Sequence, residues 1–113
     1  MEELSGDRLI EVLATLASPH RLRVLAALTG NRAYVSQLAR DLGISRALLQ
    51  VHLKKLEKAG LVTAHLELSA DGKALKYYAI TPFSLHLTPD LVAAAVTTLS
   101  NAGDGDATPK GTN

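Results

Sequence analysis

The stretch from Ser36 to Gly60 constrains the fold more than any other part of this 113-residue chain. Ser36 is placed to cap a short helix that carries Leu38, Ala39 and Leu42 on its buried side, and Gly43 ends that helix. Ser45 then caps a longer helix running to about Ala59, with Gly60 as the residue just past its end. Two helices joined by a few residues around a glycine have the spacing of a helix-turn-helix. After Gly60 the apolar period drops from 3.6 residues to 2. Val62, Ala64, Leu66 and Leu68 alternate with Thr63, His65 and Glu67, and Leu75, Tyr77 and Ala79 alternate with Lys76, Tyr78 and Ile80. Between them, Ser69-Ala70-Asp71-Gly72-Lys73 carries an Asp-Gly turn signal, so the pattern predicts a two-stranded hairpin that Pro82 closes.

Helices flank this unit on both sides. Over residues 5–17, Leu9, Val12, Leu13 and Leu16 fall at i, i+3, i+4 and i+7. Ser18-Pro19 reads as an N-cap with proline at the first helical position. The helix it opens should end at Thr29-Gly30-Asn31 with Leu22, Leu25, Ala26 and Leu28 inward. Pro89 starts a last helix whose apolar face is Leu91, Val92, Ala95, Val96 and Leu99. From Asn101 the composition collapses to polar and small residues, which predicts one domain over residues 1–100 and a disordered tail over 101–113.

The net charge of +1 conceals a segregation. Residues 19–59 hold eight Lys and Arg against two acids, while the segments on either side are net acidic. On a helical wheel of the helix capped by Ser45, Leu49, His52, Leu53 and Leu56 share one side. Arg46, Ala47, Gln50, Val51, Lys54 and Lys58 share the other. Small residues there permit close approach to a major groove, Gln and Arg read base edges, and Lys meets phosphate. Lys73 and Lys76, at or beside the hairpin tip, are placed to reach phosphate in the adjacent minor groove. The fold class is therefore mainly α with a β-hairpin: a winged helix-turn-helix with helices at both ends.

Other classes lose support. The chain has no cysteine, which excludes disulfides, thiolate metal sites and a cysteine nucleophile. There is no phosphate-binding glycine loop, no nucleophile elbow and no carboxylate pair beside a histidine, so no enzyme and no cofactor are expected. No apolar run reaches the roughly 18–20 residues of a membrane helix. Met1-Glu2-Glu3-Leu4 lacks the basic start of a signal peptide, and the expected location is the cytoplasm.

Four motifs, in order, resemble the ArsR-type winged-helix repressors. Leu16-Ala17-Ser18-Pro19-His20-Arg21-Leu22-Arg23-Val24-Leu25 resembles their opening signature, and Leu38-Ala39-Arg40-Asp41-Leu42-Gly43-Ile44-Ser45 their helix-turn-helix. His52-Leu53-Lys54-Lys55-Leu56-Glu57-Lys58-Ala59-Gly60-Leu61-Val62 resembles the end of their recognition helix, and Lys76-Tyr77-Tyr78 their second wing strand. The resemblance covers roughly residues 5–100 and implies a homodimeric, sequence-specific DNA-binding regulator. The metal sites of the family do not carry over. Tyr34-Val35-Ser36 stands where metal-sensing members have Cys-x-Cys, and the last helix offers only Asp90 where others place Asp and His. His20 and His52 match places where the family carries structural histidines, and no metal is expected.

The resulting expectation is a transcriptional regulator, in the first instance a repressor, bound as a homodimer to an inverted-repeat operator in double-stranded DNA. The expected DNA-contacting residues are Ser36, Gln37, Ser45, Arg46, Ala47, Gln50, Val51, Lys54, Lys58, Lys73 and Lys76. The last helix has Asp90 as its only ionisable residue, and Leu4 and Ile10 lie outside the main stripe of the first. That spare apolar surface predicts a dimer contact through Leu4, Leu9, Ile10, Leu13, Leu91, Val92, Ala95, Val96 and Leu99. Two alternatives remain at this point. One is a winged-helix protein-interaction module, and the other is a small-molecule-responsive regulator with an effector cleft at the dimer interface.

Overall fold

The computed structural model describes residues 4–100, and the tail expected over 101–113 lies outside them. The chain runs α1 (Gly6–Leu16), α2 (Pro19–Leu28), β1 (Ala33–Tyr34), α3 (Val35–Leu42), α4 (Arg46–Lys58), β2 (Val62–Leu68), β3 (Ala74–Ile80) and α5 (Pro89–Val96). It divides into two compact units. Ala14–Phe83 forms one, and the described residues on either side of that segment form the other.

In the central unit the local signals act as read. Ser18 accepts from the Arg21 amide ahead of Pro19, and Ser45 accepts from the Leu48 amide. Gly43 ends α3 in the left-handed region at φ 68°, where a Cβ would crowd the following carbonyl. The turn between α3 and α4 is therefore tight. Leu28, Leu38, Leu49, Leu53, Leu56, Leu61, Val24 and Val62 are fully buried and join the two helices to α2 and the sheet.

Several expectations are corrected here. In α2 the buried residues are Val24, Leu25 and Leu28, whereas Leu22 is 52% exposed and Ala26 is exposed. At 100° per residue Leu22 lies more than 100° from the centre of that buried stripe, so it cannot share it. Ser36 does not cap α3. Tyr34 holds that position without a side-chain hydrogen bond, and Ser36 lies inside the first turn. The reason is β1: Ala33 pairs with Tyr78 and Tyr34 with Tyr77, which holds the chain extended up to Tyr34. The sheet is thus three-stranded and antiparallel, in the order β1-β3-β2. In the hairpin, Val62 and Tyr78 are buried, but Leu66 and Leu68 are 73% and 74% exposed. The strands extend past the core, so alternation persists where there is nothing to bury against.

In the other unit, α5 is capped by Thr88, which accepts from the Leu91 amide, and is shorter than its apolar pattern suggests. After Val96 the backbone tightens to three-residue hydrogen bonds. The Thr97 and Thr98 hydroxyls donate to the carbonyls of Ala94 and Ala95, a side-chain alternative to continuing the helix. Thr98 Oγ1 also accepts from the Gly6 amide at 2.7 Å, and Asp7 Oδ1 accepts from the Ser100 amide at 3.0 Å. The start of α1 and the end of α5 therefore cap each other.

Candidate nucleic-acid interface

Helix α4 separates a dry side from a wet one. Leu49, Leu53 and Leu56 have no exposed surface, which anchors the helix and fixes its rotation. His52, beside them, accepts through Nδ1 from the Arg21 guanidinium at 3.2 Å, and Arg21 Nε in turn donates to the Thr15 carbonyl at 2.6 Å. A guanidinium has no acceptor, so this contact puts the imidazole proton on Nε2, which is buried without a partner. Burial first, then the positive charges of Arg21, His20 and Lys55, hold the His52 pKa below its ordinary value. Ala47, Val51, Lys54 and Lys58 lie on the opposite face with Arg46 and Gln50 toward its margin, and all six are exposed. Ser36 and Gln37 are exposed in the first turn of α3, and Ser45 is exposed at the start of α4.

The hairpin stands beside this face. Lys73 lies in the tip loop, where its amide donates to Ser69 Oγ and its carbonyl accepts from the Ser69 amide. The Ser69 hydroxyl also donates to Asp71 Oδ1, and this bond, foremost, holds that carboxyl below its usual range. Lys76 lies not at the tip but opposite Leu66, the third cross-strand pair from the loop. Its Nζ is 5.5 Å from the ring centroid of buried Tyr78. A cleft of about 220 Å³ is lined by Tyr34, Val35 and Ser36, by Arg46 and Gln50, and by Ala74, Leu75 and Lys76. The structure thus brings together sequence-predicted residues from three elements. The two ion pairs among the described residues, Arg8–Glu11 and Arg32–Glu67, involve none of these cations.

The outer face of the sheet holds a cluster that sequence reasoning missed. Arg32 stacks on Tyr77, its guanidinium carbon 4.1 Å from the ring centroid, and reaches Glu67 at 3.2 and 3.3 Å. Tyr34 donates its hydroxyl to Glu67 Oε1 at 2.6 Å, and His65 stacks on Tyr77 at 5.3 Å. The Tyr34 hydroxyl first, with Arg32, holds the Glu67 carboxyl below the usual range, while the same hydrogen bond raises Tyr34. The cluster ties the distal half of β2 to β1. Its only advance signal was the Tyr, His and Glu at alternating positions, which reads equally as a solvated face.

The second unit presents an apolar groove of about 240 Å³, lined by Gly6, Leu9, Ile10, Leu13, Val92, Ala95, Val96 and Leu99. Of the residues expected at a dimer contact, Leu9 and Ala95 are already buried within the chain, and Leu4 and Leu91 are half-buried. Ile10, Leu13, Val92, Val96 and Leu99 are 37–56% exposed. No group of three or more His, Cys, Asp or Glu side chains placed to hold a metal occurs among the described residues.

A recognition-type helix packed by its leucine side, a short helix before it and a hairpin after it define a winged helix-turn-helix DNA-binding protein. Residues 18–64 match the model of the arsR family of bacterial regulatory proteins. An uncharacterized HTH-type transcriptional regulator from Methanocaldococcus jannaschii is 30% identical over 88 residues, 75% of this chain and 92% of that one. The HTH-type transcriptional regulator CmtR of Mycobacterium tuberculosis is 36% identical over 75 residues, 66% of this chain and 60% of its own length. The homodimeric winged helix-turn-helix DNA-binding domain of a Mycobacterium bovis protein shares the fold, with a TM-score of 0.59 at 24% identity over 80% of this chain and 74% of that one. The chain belongs to the ArsR family and is a transcriptional regulator with a winged-helix DNA-binding domain.

Proposed function

We propose that residues 1–100 form one DNA-binding and dimerisation domain, and that two copies repress transcription from an inverted-repeat operator. The observation that carries this reading is the exposed Arg46–Lys58 face, basic and outside both described ion pairs, flanked by a hairpin bearing Lys73 and Lys76. Those charges are available to a polyanion. The α4 face enters the major groove with Gln50 toward base edges, α3 rests Ser36 and Gln37 on the backbone, and Lys73 meets phosphate beyond the groove. The second copy covers the apolar groove of α1 and α5. Five exposed aliphatic side chains on one small surface favour such a partner, as does the homodimeric state of the M. bovis relative in fold. Neither an enzyme activity nor a resident metal is part of the proposal.

Selection of bound sequences from a random duplex pool tests it. The expected product is an inverted repeat with half-sites about one helical turn apart. Absence of any enriched duplex would shift the reading to a protein-interaction module. Deletion from Asn101 onward should leave a dimer of normal affinity. Deletion from Pro89 should abolish both dimer and operator binding, and a well-folded dimer surviving that deletion would place the interface elsewhere. A reporter gene placed behind the selected sequence separates repression from activation.

A further inference from the structure

We infer that the cleft between α4 and the hairpin seats a single DNA backbone phosphate held jointly by Arg46 and Lys76, so that Arg46 is a clamp and not a reader of bases. The inference rests on the DNA-binding reading above and changes the role expected of Arg46 within it.

Rotation of the helix gives the first argument. With Arg46 set at zero and about 100° per residue, the buried Leu49, Leu53 and Leu56 centre roughly 55° from it. Ala47, Val51, Lys54 and Lys58 lie about 130–175° from that buried centre, and Gln50 about 95°. The middle of the exposed face therefore belongs to Ala47, Val51, Lys54 and Lys58. Arg46 sits at its margin, on the side where the cleft opens.

Composition of the cleft gives the second. Arg46, Gln50, Ser36 and Lys76 bring donors from α4, α3 and β3 to one depression of about 220 Å³, and no carboxylate among the described residues lines it. That volume is several times the roughly 30 Å³ share of one water, enough for a phosphate group with its solvent. A guanidinium and an ammonium at one site suit the dispersed charge of a phosphodiester, which accepts from both. Lys76 rests against buried Tyr78, which keeps its ammonium on the cleft side of the strand.

Capping gives the third. Ser18, Ser45 and Thr88 each accept from an amide in the first turn of α2, α4 and α5, and Ser5 does so for α1. Tyr34 offers α3 no such acceptor, and the start of α3, with Val35 and Ser36, lines this cleft. The first turn of α3 thus lacks a side-chain cap beside the two cations, and a helix start of this kind favours an anion.

The test is fluorescence anisotropy with two duplexes, one of random sequence and one recovered from the selection above, across a range of salt. Arg46→Ala, Lys76→Ala and the double variant are compared with the wild type, and circular dichroism checks their folding. A shared phosphate predicts that each single variant shallows the slope of log K against log salt by well under one unit per bound chain, and the double variant by about one. The ratio of affinities for the two duplexes stays unchanged in all three. If Arg46→Ala lowers that ratio while leaving the slope intact, Arg46 reads bases and the inference fails although DNA binding stands. If the variants each lose a full unit and the double loses two, the residues hold separate phosphates and the shared seat is refuted. Wild-type protein that binds neither duplex would overturn the DNA-binding reading itself.

Discussion

Gly6→Ala gives the sharpest test of how the first and last helices meet. By helix propensity alone the substitution should stabilise the chain, because alanine loses less backbone entropy than glycine, by roughly 0.5–1 kcal/mol. The tertiary environment reverses the sign. A Cβ at Gly6 would lie 2.4 Å from the Ala95 carbonyl oxygen and 2.7 Å from Cγ and Cδ2 of Leu99. Optimal non-bonded separation between carbons is about 3.5–4.0 Å, so α1 and α5 must separate by close to 1 Å. Leu99 can change rotamer, but the Ala95 carbonyl is backbone and cannot. Overpacking of this kind costs about 1–3 kcal/mol. Separation also stretches the 2.7 Å bond from the Gly6 amide to Thr98, worth about 1 kcal/mol. After the propensity gain is subtracted, the net destabilisation is about 1–3 kcal/mol. For a domain of this size each kcal/mol lowers Tm by about 4–8 °C. Thermal unfolding followed by circular dichroism at two protein concentrations measures the shift and its dependence on concentration. Gly43→Ala is the control: apart from its own chain neighbours no described atom lies within 4 Å of its Cβ, and the cost there comes from φ 68°, about 1 kcal/mol. A Gly6→Ala protein as stable as the wild type or more so would refute the close approach of α1 and α5.

Four further outcomes are expected. His52 has a folded-state pKa below its unfolded value, so the unfolded chain takes up the proton first. Stability should be unaffected well above about pH 6.5, fall as pH drops through that value, and fall less in His52→Gln; equal slopes in urea titrations at pH 7 and 5.5 for both proteins would contradict this. Glu67, held low by Tyr34 and Arg32, loses its contribution in a separate window below its ordinary range. Lys73→Ala should weaken binding to all duplexes alike and shallow the salt slope by about one unit per chain, which a salt titration reads directly. Micromolar zinc, cadmium or arsenite should leave the protein–DNA complex intact in a gel-shift assay, since the chain has no cysteine; release that a chelator reverses would show a metal site.

The sequence by itself determined the features whose causes are local. A serine before a helix, a proline at its first position, a left-handed glycine after it and a change of apolar period all act within about four residues. Ser18, Ser45, Gly43 and the hairpin turn at Asp71-Gly72 therefore stand where they were read. The wheel of α4 was legible for the same reason, since one face must be dry. Tertiary structure decided what depends on residues far apart in the chain. β1 is two residues long, too short for any period, and exists because β3 offers it partners more than forty residues away. That pairing displaced Ser36 from the cap of α3 and into its first turn, which lines the cleft beside Arg46. Likewise Glu67 meets Arg32 and Tyr34 across the sheet, and Gly6 meets Ala95 and Leu99 through the docking of two chain ends. Periodicity reports that a face is apolar but not how far the core extends beneath it, so Leu66 and Leu68 were indistinguishable in sequence from buried leucines. Burial is a property of what packs opposite, and that is set only when distant segments close over one another.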